Sequence, residues 1–379
     1  MLDVLIAGAG PAGSLAGTLL AREGARVLIV DRETFPRDKL CGDTINPGLV
    51  ALLQSIGLWG GPLVTARELG GMLLTGPTES VEGRYADGSA ARAITRRALD
   101  GWLIEQAMAA GARFEPGEIV RGPLLDSSHH VPVVRGLVLA RRGQGGQVTR
   151  VPAAMTLAAD GRRSVLARAL GLSHHPAQPR RWAFGVYATD IDGLTDLGEM
   201  HVRHGRYLGI APLDGGVANV CAVTGPRPPG ATPEAVVRAV IAHEPRIASR
   251  FTRARFVSPV RVLGPLAVET RAPGVDGLLL AGDAAGFVDP MTGDGLHLAV
   301  RGATLAEPEI LRVLEAGAFD GAVARLADAR HHVLGGKVRF NRLVRAVVEE
   351  RWAIGLAERV AALAPGVFKR AVTYAGDAA

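Results

Sequence analysis

Residues 3–31 constrain the fold more than any other stretch. Val4-Leu5-Ile6-Ala7 is a short apolar run of strand character, and Gly8-Ala9-Gly10-Pro11-Ala12-Gly13 follows at once. Ser14 to Glu23 has a helical pattern, with Leu15, Leu19 and Leu20 on one face. Gly24 ends it, and Val27-Leu28-Ile29-Val30 is a second buried strand closing on Asp31. The result is a βαβ unit with GxGxxG in its first turn and an acid eighteen positions past the third glycine. Gly8 permits the tight turn, Gly10 lets backbone approach a pyrophosphate, and Gly13 lets helix pack close to strand. The helix start at Pro11 and Ala12 offers free N–H groups and a positive dipole end. Asp31 is placed to accept hydrogen bonds from an adenosine ribose, with Arg32 directly after it. Strand, turn, helix, strand and acid together point to an ADP-containing dinucleotide.

Composition sets limits on the remaining functions. The 379 residues suggest about two domains, and 48% hydrophobic with 21% charged residues describes an ordinary globular chain. The net charge of +6 comes from arginine spread without a basic block, and aromatics are only 4%, so nucleic acid is not an expected partner. Cys41 and Cys221 form no CxxC, which argues against structural zinc and a disulfide framework and for a reducing, cytoplasmic compartment. No apolar run approaches a membrane span, so no integral membrane segment is expected.

The remaining chain falls into recognisable pieces. Arg32 to Asp43 is a charged loop closing on Cys41-Gly42, and a helix runs from Asn46-Pro47-Gly48 to about Ile56. The loop can reach along the dinucleotide or be a plain surface connection. Gly60 to Ile94 alternates apolar runs with turns at Gly76-Pro77 and Asp87-Gly88. A helix opens at Thr95-Arg96 and ends at Gly111, and a strand follows from Arg113 to Val120. Arg96 can meet a phosphate or be a solvated arginine. Strands at about 133–140 and 148–157 pair across Gly143 to Gly146, and the second leads into Asp160-Gly161. From Trp182 to Leu266 the pattern is antiparallel β with little inward charge, suited to one wall of an apolar pocket. Leu278-Leu279-Leu280 then ends in Gly282-Asp283, and a glycine-rich loop through Pro290 and Gly293 starts a helix near Gly295-Leu296-His297. Amides there can stabilise negative charge. Helices fill the end of the chain, where Arg339, Arg342, Arg345 and Arg351 read as a solvated face.

Three separated motifs coincide: GxGxxG with Asp31, Asp160-Gly161, and Gly282-Asp283. This set resembles the FAD-dependent superfamily with the para-hydroxybenzoate hydroxylase fold, over nearly the whole chain. Phe35 to Gly42 and Gly282 to Pro290 look most like its geranylgeranyl reductase and halogenase-related branch. The resemblance implies an α/β fold: a Rossmann-like FAD-binding domain, an interleaved, mostly antiparallel β-sheet substrate domain and C-terminal helices. The corresponding segments are 1–60, 95–180 and 270–305; then 61–94 and 181–269; then 306–379. The implied FAD contacts are Gly8, Gly10, Pro11, Ala12, Gly13, Asp31, Arg32, Cys41, Gly42, Arg96, Val120, Asp160, Gly161, Gly282, Asp283, Pro290, Gly293, Gly295 and Leu296. Reductases of the branch carry a YxWxFP-like strand and tryptophan halogenases a WxWxIP. Here the stretch reads Tyr207-Leu208-Gly209-Ile210-Ala211-Pro212, which argues against a halogenase, weakens a reductase and implies a roomier site facing the flavin.

The leading expectation is a monooxygenase of secondary metabolism. It would hydroxylate a hydrophobic small molecule with NAD(P)H as transient donor and O2, through a flavin C4a-hydroperoxide in a dry pocket. The alternative is a C=C reductase of the geranylgeranyl reductase type, and a remote one is a flavin-containing binding or redox-sensing protein. His297 and Cys41 are the candidate catalytic side chains; each can equally be a satisfied or inert buried residue. His201 and His204, three apart on a strand, face opposite sides, and no metal site is expected. The His129-His130 and His174-His175 pairs read as exposed.

Overall fold

The structure is a computed structural model that describes residues 2–85, 88–128, 133–143, 147–178 and 180–376. Two large sheets organise it. The first has the spatial order Gly274–Val275, Leu278–Leu280, Val148–Ala158, Leu2–Ala7, Val27–Asp31, Arg113–Pro116. Along this order all pairs are parallel except the Gly274–Val275 edge. Leu2–Ala7 takes Val27–Asp31 on one side and Val148–Ala158 on the other, so the strand order reverses at its carboxyl end. That is the crevice where open α/β sheets bind ligands. Val4, Ile6 and Ile29 are buried on one face against Leu15 and Leu20 of the Pro11–Arg22 helix, and Leu5 and Leu28 on the other against Leu137 and Leu166.

The expected strand from Arg113 to Val120 is broken. Gly117, at φ +81°, ends Arg113–Pro116 and starts Glu118–Asp126, which leaves the parallel sheet and pairs antiparallel with Val133–Arg141. Val133–Arg141 in turn pairs antiparallel with Val148–Ala158. Of the residues expected to join this last pair, 144–146 lie outside the described residues, as do Asp87 and the His129-His130 pair.

The second sheet runs Arg255–Phe256, Trp182–Thr189, Val217–Thr224, Arg206–Pro212, Leu197–Arg203, Gly71–Thr75, Ser80–Arg84. It is antiparallel apart from Leu197–Arg203 beside Gly71–Thr75, which are parallel. It also buries more charge than its pattern suggests. Arg250 grips both oxygens of Glu199 at 2.7 Å, and His201 bridges Glu199 at 2.9 Å and Thr75 at 2.8 Å. Burial alone would raise Glu199; with Arg250 and His201 bonded to it, the carboxyl sits below its ordinary range. Helices Gly295–Ala316, Ala322–Glu349, Arg351–Leu363 and Pro365–Gly376 follow. Arg339, Arg342 and Arg351 are exposed and Arg345 is half-buried; of the other histidines, His174 is exposed and His175 half-buried.

Candidate functional site: a cavity between the two sheets

The glycine turn after Leu2–Ala7 is shaped by sterics. Gly8 has φ +100°, and a Cβ there would run into the carbonyl of Ala159; a Cβ at Gly13 would overlap the carbonyl oxygen of Gly8. Gly10 differs. Its nearest neighbours to such a Cβ are guanidinium nitrogens, Arg37 Nη2 at 3.7 Å and Arg96 Nη2 at 4.0 Å. The Pro11–Arg22 helix starts there with no side-chain cap, so the N–H groups of Ala12 and Gly13 are left for a ligand. Asp31 braces the turn: it accepts from Ala9 N at 2.8 Å and Glu33 N at 2.9 Å.

Cations gather beside Gly10. Arg96 is buried, not solvated, and is held bidentate by Asp100 at 2.7 Å and 2.7 Å. Arg37 Nη1 lies 3.0 Å from the same carboxylate yet has no hydrogen-bonded acceptor among the described residues. Lys39, whose Nζ faces Gly161, is pushed down to about 8 by burial and by neighbouring Arg96. Two guanidiniums share one carboxylate at the mouth of a glycine turn, and one buried donor is left over. That donor set fits a diphosphate.

A cavity of about 510 Å³ opens from this point. Gly10, Pro11, Ala12, Cys41, Gly42, Arg96, Gly161, Gly282, Asp283, Pro290, Gly293, Gly295 and Leu296 all line it. Gly282–Ala285 is a short turn after Leu278–Leu280, and Gly282, at φ +61°, sits against Ala12. The loop beyond is clamped at two carboxylates. Asp289 accepts from Tyr207 Oη at 2.6 Å, Arg181 Nη1 at 3.2 Å and Met291 N at 3.1 Å. Arg181 also pairs with Glu349, which ties the loop to the second sheet and to the Ala322–Glu349 helix. Asp294 accepts from Asn341 at 3.0 Å to each oxygen and from Thr292 at 2.7 Å. The Gly295–Ala316 helix then begins without a side-chain cap, its first amides at the cavity wall.

Beside Cys41 lies a buried polar group that motif reading missed. Asp43 has φ +54° and accepts from Tyr187 Oη at 2.5 Å, Asn219 Nδ2 at 2.9 Å and Arg96 N at 3.2 Å. Burial pushes its carboxyl up to about 6 despite these donors. Asn219 also donates to the Cys41 carbonyl at 3.0 Å, while its own Oδ1, in a side chain lining the cavity, has no partner among the described residues. Burial raises the Cys41 thiol, keeping it protonated.

Several expected contacts stand elsewhere. Arg32 is exposed and pairs only loosely with Glu33, at 3.5 Å. Val120 sits on the hairpin strand opposite Leu139, because Gly117 turned that strand out of the parallel sheet. Asp160 accepts from Val165 N at 2.9 Å at the start of the next helix; its neighbours Ala159 and Gly161 line the cavity and it does not. His297 does not line the cavity: Leu296 and Ala299 do, and one residue turns a helix by about 100°. Among the described residues no cluster of three metal-ligating side chains occurs.

The family model described as FAD binding domain matches residues 1–340. The chain belongs to this FAD-binding family. It is an FAD-dependent oxidoreductase with the para-hydroxybenzoate hydroxylase-like fold and C-terminal helices. It is 32% identical over 330 residues to a menaquinone reductase of Mycobacterium tuberculosis, covering 80% of this chain and 75% of that one. It is 32% identical over 306 residues to digeranylgeranylglycerophospholipid reductase 2 of Methanopyrus kandleri, covering 78% and 73%. The flavin-dependent brominase Bmp2 shares its fold, with TM-score 0.85 at 18% identity over 99% of this chain and 93% of that one. No helix among the described residues is long and apolar enough to cross a membrane.

Proposed function

We propose that this chain reduces carbon–carbon double bonds in a long, apolar, isoprenoid-like substrate. The observation that carries this reading is the cavity's far half. Beyond Cys41 it runs between Met72, Leu74 and Val81 on the second sheet and Phe340, Val344 and Val372 on the C-terminal helices. Such a lining suits a chain of methyl-branched units and offers few partners to a polar one. Gly209, in the strand Arg206–Pro212, leaves room where a side chain would narrow the passage; a Cβ there would meet nothing closer than 3.7 Å. Both named reductase relatives act on molecules that carry prenyl chains, which supports the same class.

FAD would lie with its diphosphate between Gly10, the Ala12 and Gly13 amides, Arg37 and Arg96. Asp31 would reach the ribose, and the 286–295 loop and the Gly295 helix start would cover the ring. When bound and reduced, FAD supplies a hydride equivalent to one alkene carbon. The second carbon needs a proton, and on this reading the neutral Cys41 thiol of the cavity wall would give it, with solvent afterwards returning a proton to Cys41 Sγ. The apolar walls exclude water and align the chain. NAD(P)H or a redox partner would act as transient donor. Hydroxylation with O2 is the second reading, favoured by the same dry lining.

Anaerobic incubation of FAD-loaded, chemically reduced protein with geranylgeranyl compounds tests the proposal by product mass. A gain of H2 per bond is expected. A product that forms only with O2 and carries an added oxygen atom would overturn it in favour of hydroxylation.

A further inference from the structure

The Arg351–Leu363 helix is apolar on two sides. Ile354 and Ala357 face the cavity, while Trp352, Leu356, Val360 and Leu363, at i, i+4, i+8 and i+11, form one outward stripe. Trp352 is 70% exposed and Leu363 is 86% exposed; of the four tryptophans Trp352 is the exposed one. Val367 on the next helix and Leu343 on the preceding one are also exposed apolar side chains, and Leu343, 63% exposed, lines the cavity as well, so exposed apolar surface reaches the cavity edge. Charge surrounds it. Residues 337–376 hold eight Lys or Arg against three Glu, which is five of the chain's net +6. Arg339, Arg342, Arg351, Arg359, Lys369 and Arg370 are exposed.

We propose that this face docks on an anionic lipid bilayer, with the Trp352–Leu363 stripe inserted at the headgroup boundary and the cavity mouth set against the membrane. An amphipathic helix with tryptophan and leucine on one side and arginines around it is the form that lies in an interface plane. Its cations complement anionic headgroups, whereas a second copy of the chain would bring like charges face to face. The idea that the docked mouth takes its chain from the bilayer rests on the reductase reading; the docking itself does not.

The test uses FAD-loaded protein with vesicles of equimolar phosphatidylcholine and phosphatidylglycerol, and with phosphatidylcholine alone. Co-sedimentation with the anionic vesicles is expected, together with quenching of tryptophan emission by brominated lipid that disappears in Trp352→Phe. Arg351→Glu with Arg359→Glu should weaken binding about tenfold or more, and raised salt should release the protein. Trp352→Ser with Leu363→Ser should abolish it while leaving turnover of a detergent-solubilised substrate unchanged. No partition into either vesicle would overturn the proposal. So would binding indifferent to these substitutions, or dimerisation that the serine variant abolishes without any vesicle binding. A protein that binds vesicles but saturates no double bond keeps the docking and loses only the reductase reading; one that saturates bonds in detergent yet ignores vesicles does the reverse.

Discussion

The two ends of the cavity are built on opposite principles. At the dinucleotide end the contacts are backbone and fixed charge: Gly8, Gly10 and Gly13, two helix amides, and Arg37 and Arg96 on a shared Asp100. At the far end the walls are mostly apolar side chains from strands of the second sheet and three helices, with Glu79 and Tyr85 also in the lining. The first end demands one ligand geometry. The second sets a length and a width, and tolerates variation within them. On the proposed reading, activity depends on a precise site feeding a permissive one.

Gly13→Ala should show the largest effect. The added methyl must displace the Gly8 carbonyl, so purified variant should lose its flavin, read from the flavin-to-protein absorbance ratio. An apolar swap at the far end, such as Val372→Ala, should leave that ratio unchanged. Arg181→Met comes next. It leaves Asp289 buried without its cation, a change that costs about 3–5 kcal/mol, seen as a lower thermal midpoint and a disordered ring loop. Gly209→Phe should act on the chain end alone: flavin retained, kcat/KM for long chains down about tenfold or more, short chains less affected.

Asp43 predicts a smaller, pH-dependent effect at the junction. Its folded carboxyl keeps its proton up to about 6, against about 3.9 for an unfolded aspartate. Between these values the folded state binds more protons, so this contribution to stability falls as pH rises through the window and is level above it. Thermal midpoints of wild type, referred to Asp43→Asn, should therefore fall from about pH 4 to about pH 6. Arg32→Ala should do least, leaving flavin content and thermal midpoint unchanged, because its side chain is exposed and outside the cavity.

The same contrast governs how much could be read from the chain. GxGxxG, Gly161 and Gly282 were legible because a tight turn or close approach excludes a side chain at those positions. Arg37 and Lys39 lay in a loop whose reach was legible but whose individual contacts were not. The Asp43 group was hidden because Tyr187 and Asn219 come from 144 and 176 residues away. His297 lies near the helix start, but helical phase turns it off the face that Leu296 and Ala299 share, and phase was not legible to that precision. The chain end was least legible of all. Phe340, Val344 and Val372 follow the spacing of any core helix, and only packing shows that they enclose a space rather than fill one.

The most direct test joins the two ends in one anaerobic mixing experiment, with reduced FAD-loaded protein on one side and a geranylgeranyl-chain substrate on the other. The expected result is return of the oxidised flavin absorbance without oxygen, at a rate that depends on chain length and slows in Cys41→Ser. Flavin that stays bleached with every chain offered, and recovers only when oxygen is admitted, would contradict it.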